Sequence, residues 1–183
     1  DSKSRNLNKS LTYTLKALDA FSSKSVANIQ ETGYGKKQET NDLSELMKNS
    51  LDEQINNFSN QITNYFSDII RKGREITVRV TITKGVTMSM EDDCLDEGET
   101  YSDWLIDYMK THTQKGAYKL QKNTESEMFF KNVRIKTLNE NGTQYGAYDF
   151  ARELRKAFRK GCGVKASNKT QGLGDVHIML KGM

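Results

Sequence analysis

Six carboxylates crowd one short stretch: Glu91, Asp92, Asp93, Asp96, Glu97 and Glu99. Hard cations such as calcium take oxygen ligands, so Asp92, Asp93 and Asp96 are the candidate metal ligands of the chain. The spacing departs from a calcium-binding helix-loop-helix: the required glycine and distal glutamate are out of place. The bland alternative is that these acids lead into a helix, where they complement the N-terminal dipole. The expectation is no metal and no cofactor.

A second group is basic. Arg152, Arg155, Lys156, Arg159 and Lys160 fall on one side of an expected helix, with Lys165 and Lys169 following. Such a side suits phosphates of nucleic acid or lipid head groups, or contact with a protein or a membrane surface. Cations also collect near helix C-termini for dipole reasons alone. No aromatic RNA-binding signature, GxxG loop or helix-turn-helix accompanies them. These five are the partner-binding candidates, with a protein as the expected partner and nucleic acid as the alternative.

Catalytic chemistry finds little to work with. The two histidines, His112 and His177, lack partners at triad or zinc spacing, and HExxH, CxxC and GxSxG are absent. Cys162 lies between Gly161 and Gly163, after a helix C-terminus, whereas reactive thiolates favour N-termini. Cys94 and Cys162 are too few for a disulfide framework; one bridge and two free thiols are both open. Gly161–Gly163 and Gly172–Gly174 do not continue into a phosphate loop, and neither precedes a helix. They read as a helix cap and a hairpin. No catalytic residue is assigned, and the expectation is a non-enzyme.

The elements that must carry these residues follow from periodicity. Leu7, Leu11, Leu15, Leu18 and Phe21 recur every three or four residues and predict an N-terminal helix. Glu31–Asn41, with Gly33 and Gly35, reads as a mobile linker, so residues 1–41 form a helix plus linker. Asp42 and Glu45 open a helix in capping-box fashion. Leu43, Met47, Leu51, Ile55, Phe58, Ile62, Phe66 and Ile69 continue it to Gly73. The period then drops to two: Ile76, Val78, Val80 and Ile82 alternate with polar residues, predicting a half-buried strand. Val86, Met88 and Met90 keep that parity, as a bent strand or a hairpin.

Beyond this come a helix over Tyr101–Thr113, a strand holding Tyr118 and Leu120, a turn at Asn123–Thr124 and a strand over Met128–Leu138. A helix over Tyr145–Lys160 and strands over Cys162–Ser167 and Val176–Leu180 complete the chain. A 45-residue shift aligns Leu105 with Phe150 and Met109 with Leu154. This suggests an internal repeat, about 75–138 and 128–182, of strand-helix-strand-strand units. The fold class is α+β: N-terminal amphipathic helices, then a mainly antiparallel sheet in a domain spanning 42–183.

Asp42–Thr83, followed by those units and closing on Asp175–Gly182, is similar to small α/β modules of bacterial envelope assembly proteins. The types in question are flagellar T-ring and curli-secretion accessory proteins. It also resembles uncharacterised secreted proteins of gut bacteria. The resemblance rests on element order over about 42–182. It implies a non-enzymatic interaction or assembly role in a secreted or periplasmic setting, a cytoplasmic one staying open, and it carries over no site residue.

Composition bounds the rest. The 183 residues contain no proline, against an average usage of about 5%, which excludes collagen-like and PxxP readings. No apolar run approaches the roughly 18 residues of a membrane span. A chain starting at Asp1 reads as a processed or trimmed form, in which a removed secretion signal leaves no trace. Net charge is +4 and concentrates late: residues 143–183 hold 8 basic and 3 acidic groups. Without proline every strand residue can donate to a ladder, so the sheet edges are a further place to look for partner strands.

Overall fold

The computed structural model describes residues 10–34, 43–94 and 98–182. They fall into two compact units, one made of the described residues up to Ser67 without residues 20–22, the other of those three residues and the described residues from Asp68 onward.

The first unit corrects the N-terminal helix. β1 (Ser10–Leu18) and β2 (Ser25–Tyr34) form an antiparallel hairpin, with Leu15 opposite Ile29 and Ala17 opposite Ala27. The reason lies in a spacing that serves both periods. Leu11 and Leu15 are four apart, which fits a helix but is also twice two. The intervening Tyr13 and the following Ala17 complete an alternation that puts Tyr13, Leu15 and Ala17 inward and Thr12, Thr14 and Lys16 outward. Threonine and tyrosine favour strand. Glu31–Tyr34, expected in a linker, belongs to β2; the rest of that linker and the Asp42 cap lie outside the described residues.

α1 (Leu43–Lys72) runs where the three-four spacing predicts. Its Gln61 side chain accepts a hydrogen bond from Asn28 N at 3.1 Å, and Gln54 donates to Glu31 at 3.3 Å. The polar flank is thus used against the hairpin, while Ile55 and Phe66 of the apolar stripe stay exposed.

The second unit is a five-stranded sheet, β3 (Arg74–Ile82), β4 (Lys119–Thr124), β5 (Glu127–Ile135), β6 (Ala166–Gln171) and β7 (Asp175–Leu180), in the order β4-β5-β3-β7-β6. Only β3 and β7 run parallel. α2 (Tyr101–His112) and α3 (Ala147–Cys162) supply Leu105, Met109, Phe150, Leu154 and Phe158 to one core with Val78, Val80, Phe130 and Ile178 of the sheet. The architecture is α+β, with a mainly antiparallel sheet.

Several expectations change here. The hairpins β4–β5 and β6–β7 both flank β3, and β5 does not pair with β7. β5, the strand that the two expected repeat units share, is therefore not the neighbour of the second unit's hairpin; β3 is. The chain leaves the sheet before Gly85, whose φ of +86° closes a turn, so Val86 and Met88 extend no strand. Met90 instead plugs the core, fully buried, its N–H on Glu125 O at 2.7 Å. The β4–β5 turn falls at 125–126 rather than at Asn123–Thr124. Cys162 ends α3 instead of starting a strand, because Gly163, at φ +68°, caps the helix there.

Candidate interaction surface

α3 is built to present cations. Gly146 N donates to Asp149 Oδ2 at 3.2 Å, closing the first turn. Phe150, Ala151, Leu154 and Phe158 point into the core, and this stripe fixes the helix rotation. The rotation leaves Arg152, Lys156, Arg159 and Lys160 exposed and Arg155 half-buried, all on the outer side. Arg152 lies 3.6 Å from Asp149. Among the described residues, Arg155, Lys156, Arg159 and Lys160 have no carboxylate partner. Glu153, on the same helix, accepts a hydrogen bond from Tyr145 Oη at 2.6 Å. Burial, and then the Glu153 carboxylate, raise the Tyr145 hydroxyl far above the ordinary tyrosine range. The structure thus brings the five candidate residues together.

Lys169 does not join them. It sits on β6 opposite His177, and His177 is opposite Arg79. These residues have the parity that faces away from the helices. Register makes a row across all five strands: Lys122, Phe129, Arg79, His177 and Lys169. Glu127 pairs with both Arg79 and Lys122. The Phe129 ring lies under the Arg79 guanidinium at 4.7 Å and near Lys131 Nζ at 5.6 Å. This row was invisible in the sequence, because its members come from strands up to 98 positions apart whose order only the sheet sets.

The histidines occupy separate places. His177 Nε2 is 2.8 Å from Thr81 Oγ1. Burial, then Arg79 and Lys169, push its pKa below the ordinary 6.5, with Glu127 opposing. His112 ends α2, stacked on Tyr108 at 3.9 Å, with Nδ1 3.1 Å from Tyr108 O.

The acidic loop works locally. Asp92 Oδ2 accepts from Ser89 N at 2.7 Å, and Asp92 O accepts from Tyr101 N at 3.0 Å. Asp93 bridges to Thr100, which N-caps α2 by accepting from Asp103 N at 3.1 Å. Asp96 lies outside the described residues. Among those described, no three metal-ligating side chains converge.

The open question of the cysteines is decided: Cys94 and Cys162 form a disulfide, with Cα atoms 4.8 Å apart. It ties the loop before α2 to the end of α3. The edge strands carry Lys119 and Lys122 on β4 and Lys169 on β6. Charged edges oppose strand addition even without proline.

The second unit is therefore a two-layer α+β domain, with helices on one sheet face and a cationic helix side outward. A family model described as Domain of unknown function (DUF6175) matches residues 74–181, from the first residue of β3 to just past β7, and the chain belongs to this family. No curated protein and no solved structure matches it. No helix among the described residues is long and apolar enough to cross a membrane.

Proposed function

We propose that this domain is a non-enzymatic interaction module of a secreted or periplasmic envelope protein, holding an acidic protein partner on the outer side of α3. The carrying observation is the strip of Arg155, Lys156, Arg159 and Lys160, unpaired by carboxylates among the described residues on a helix whose other side fills the core. Unpaired exposed cations are available to steer and orient an acidic partner. The Cys94–Cys162 bridge supports an oxidising compartment, where such bonds persist.

The test is partner capture from envelope extract by the full chain and by the triple variant Arg152→Glu, Arg155→Glu, Arg159→Glu. The reading expects loss of the partner with an unchanged circular dichroism spectrum and melting temperature. Retained capture removes this side of α3 from consideration.

The same strip favours a second reading, a nucleic-acid-binding domain. That reading expects binding to mixed oligonucleotides that weakens linearly in log–log salt plots. Absence of binding at low salt excludes it.

A further inference from the structure

We propose that a recess between the end of α1, the 3-10 turn Gln114–Gly116 and β5 is a binding site for a phosphate group. The recess measures about 160 Å³ and is lined by Arg71, Lys72, Gln114, Lys115, Ala117 and Arg134. That is room for a tetrahedral oxyanion and some water, whose liquid share is about 30 Å³ per molecule.

Three separate stretches of chain deliver its four cations. Two carboxylates stand behind them. Asp68 lies 2.6 Å from Lys72 and 3.6 Å from both Arg71 and Arg134, and Glu75 lies 3.2 Å from Arg134. Lys72 first of all, with Arg134 and Arg71 adding, holds the Asp68 carboxyl below its ordinary value. Lys115 has no carboxylate partner among the described residues. Four cations against two carboxylates leave a surplus of two, which a phosphate monoester of about −1.5 to −2 would neutralise.

Arg134 is held in place before any ligand arrives. Arg134 Nη1 donates to Gly73 O at 3.0 Å while Nη2 faces Glu75, so the guanidinium is fixed from two sides. Gly73 approaches so closely that a β-carbon there would lie 2.9 Å from Gln114 Cγ, which seats the 3-10 turn against the end of α1. Lys115 adopts φ +56° and ψ +27°, a left-handed conformation that is costly for lysine and tends to occur where function constrains the chain. Arg71 and Lys72 alone would be explained by the α1 dipole. Lys115 and Arg134 belong to other elements, and the dipole does not account for their convergence.

Calorimetric titration of the full chain with inorganic phosphate, at ionic strength held constant with sodium chloride, tests the site. One phosphate per chain is expected. Lys115→Asn and Arg71→Ala should each weaken it about tenfold, near the loss of one charge-assisted hydrogen bond. Asparagine tolerates the left-handed conformation, so Lys115→Asn keeps the turn. Lys84→Gln, exposed in the turn after β3, should leave binding unchanged. Vesicles of phosphatidylcholine with and without phosphatidic acid distinguish the source. Retention on phosphatidic acid alone, displaced by inorganic phosphate, identifies a lipid headgroup; phosphate binding without vesicle retention identifies a soluble phosphate. Heats no larger than those of added chloride, or equal affinity in Lys115→Asn and the unaltered chain, overturn the proposal.

Discussion

Gly161 lies directly beneath Trp104: a β-carbon at position 161 would sit 2.8 Å from the indole Nε1. The ring cannot readily retreat, because Phe158 packs 4.7 Å from it and Tyr108 5.5 Å. A glycine inside a helix ordinarily gains about 1 kcal/mol on replacement by alanine. Here overpacking, about 1–3 kcal/mol, opposes that gain. Gly161→Ala is expected to lower stability by about 1 kcal/mol in urea unfolding. Fluorescence of Trp104, the one tryptophan of the chain, should shift with it. A more stable variant would show that the indole moves freely.

The same end of α3 carries the disulfide, which closes a loop of 68 residues. Chain-entropy reasoning assigns such a loop about 4 kcal/mol, before any change in native packing. Cys94→Ala/Cys162→Ala should lose stability of that order, and the unaltered chain should lose as much in reductant. Equal unfolding midpoints with and without reductant would contradict the prediction.

Gly73 joins α1 to β3 at φ +84°, and a β-carbon there would meet Ile135 O at 2.3 Å. Both the backbone conformation and the space exclude a side chain. Gly73→Ala should cost at least about 2 kcal/mol, the left-handed penalty plus the clash. Thermal unfolding measures this; a neutral result would mean that the helix end relaxes away from β5.

His177 has its pKa lowered below 6.5 in the folded chain by burial, Arg79 and Lys169. The unfolded chain then takes up the proton first as pH falls. The His177 contribution is fully present above about pH 6.5 and is lost as pH drops through the folded value. Glu127, held below 4.5 mainly by its hydrogen bond from Lys122, acts in the same direction at lower pH. Unfolding free energy should therefore decline below pH 6.5, and His177→Gln should remove the first part of that decline. An unchanged slope in the variant would place the titration elsewhere.

Local pattern was enough wherever one period acted alone. α1, β3, α2 and α3 follow from spacing within about 30 residues, and the rotation of α3 that exposes Arg152–Lys160 follows from where Phe150, Leu154 and Phe158 fall. It failed at Leu11–Leu18, where four-residue spacing fits two periods and pairing with β2 chose the strand.

What the sequence by itself determined was the kind of most elements from α1 onward and the cationic side of α3. Only the tertiary structure decided the pairing of Cys94 with Cys162, the strand order that aligns Arg79 with His177, and the convergence of Lys115 and Arg134 on the end of α1. The physical reason is range. Helix and strand periods are set by backbone geometry between near neighbours, whereas these contacts join positions that only the packing of one sheet against two helices brings together.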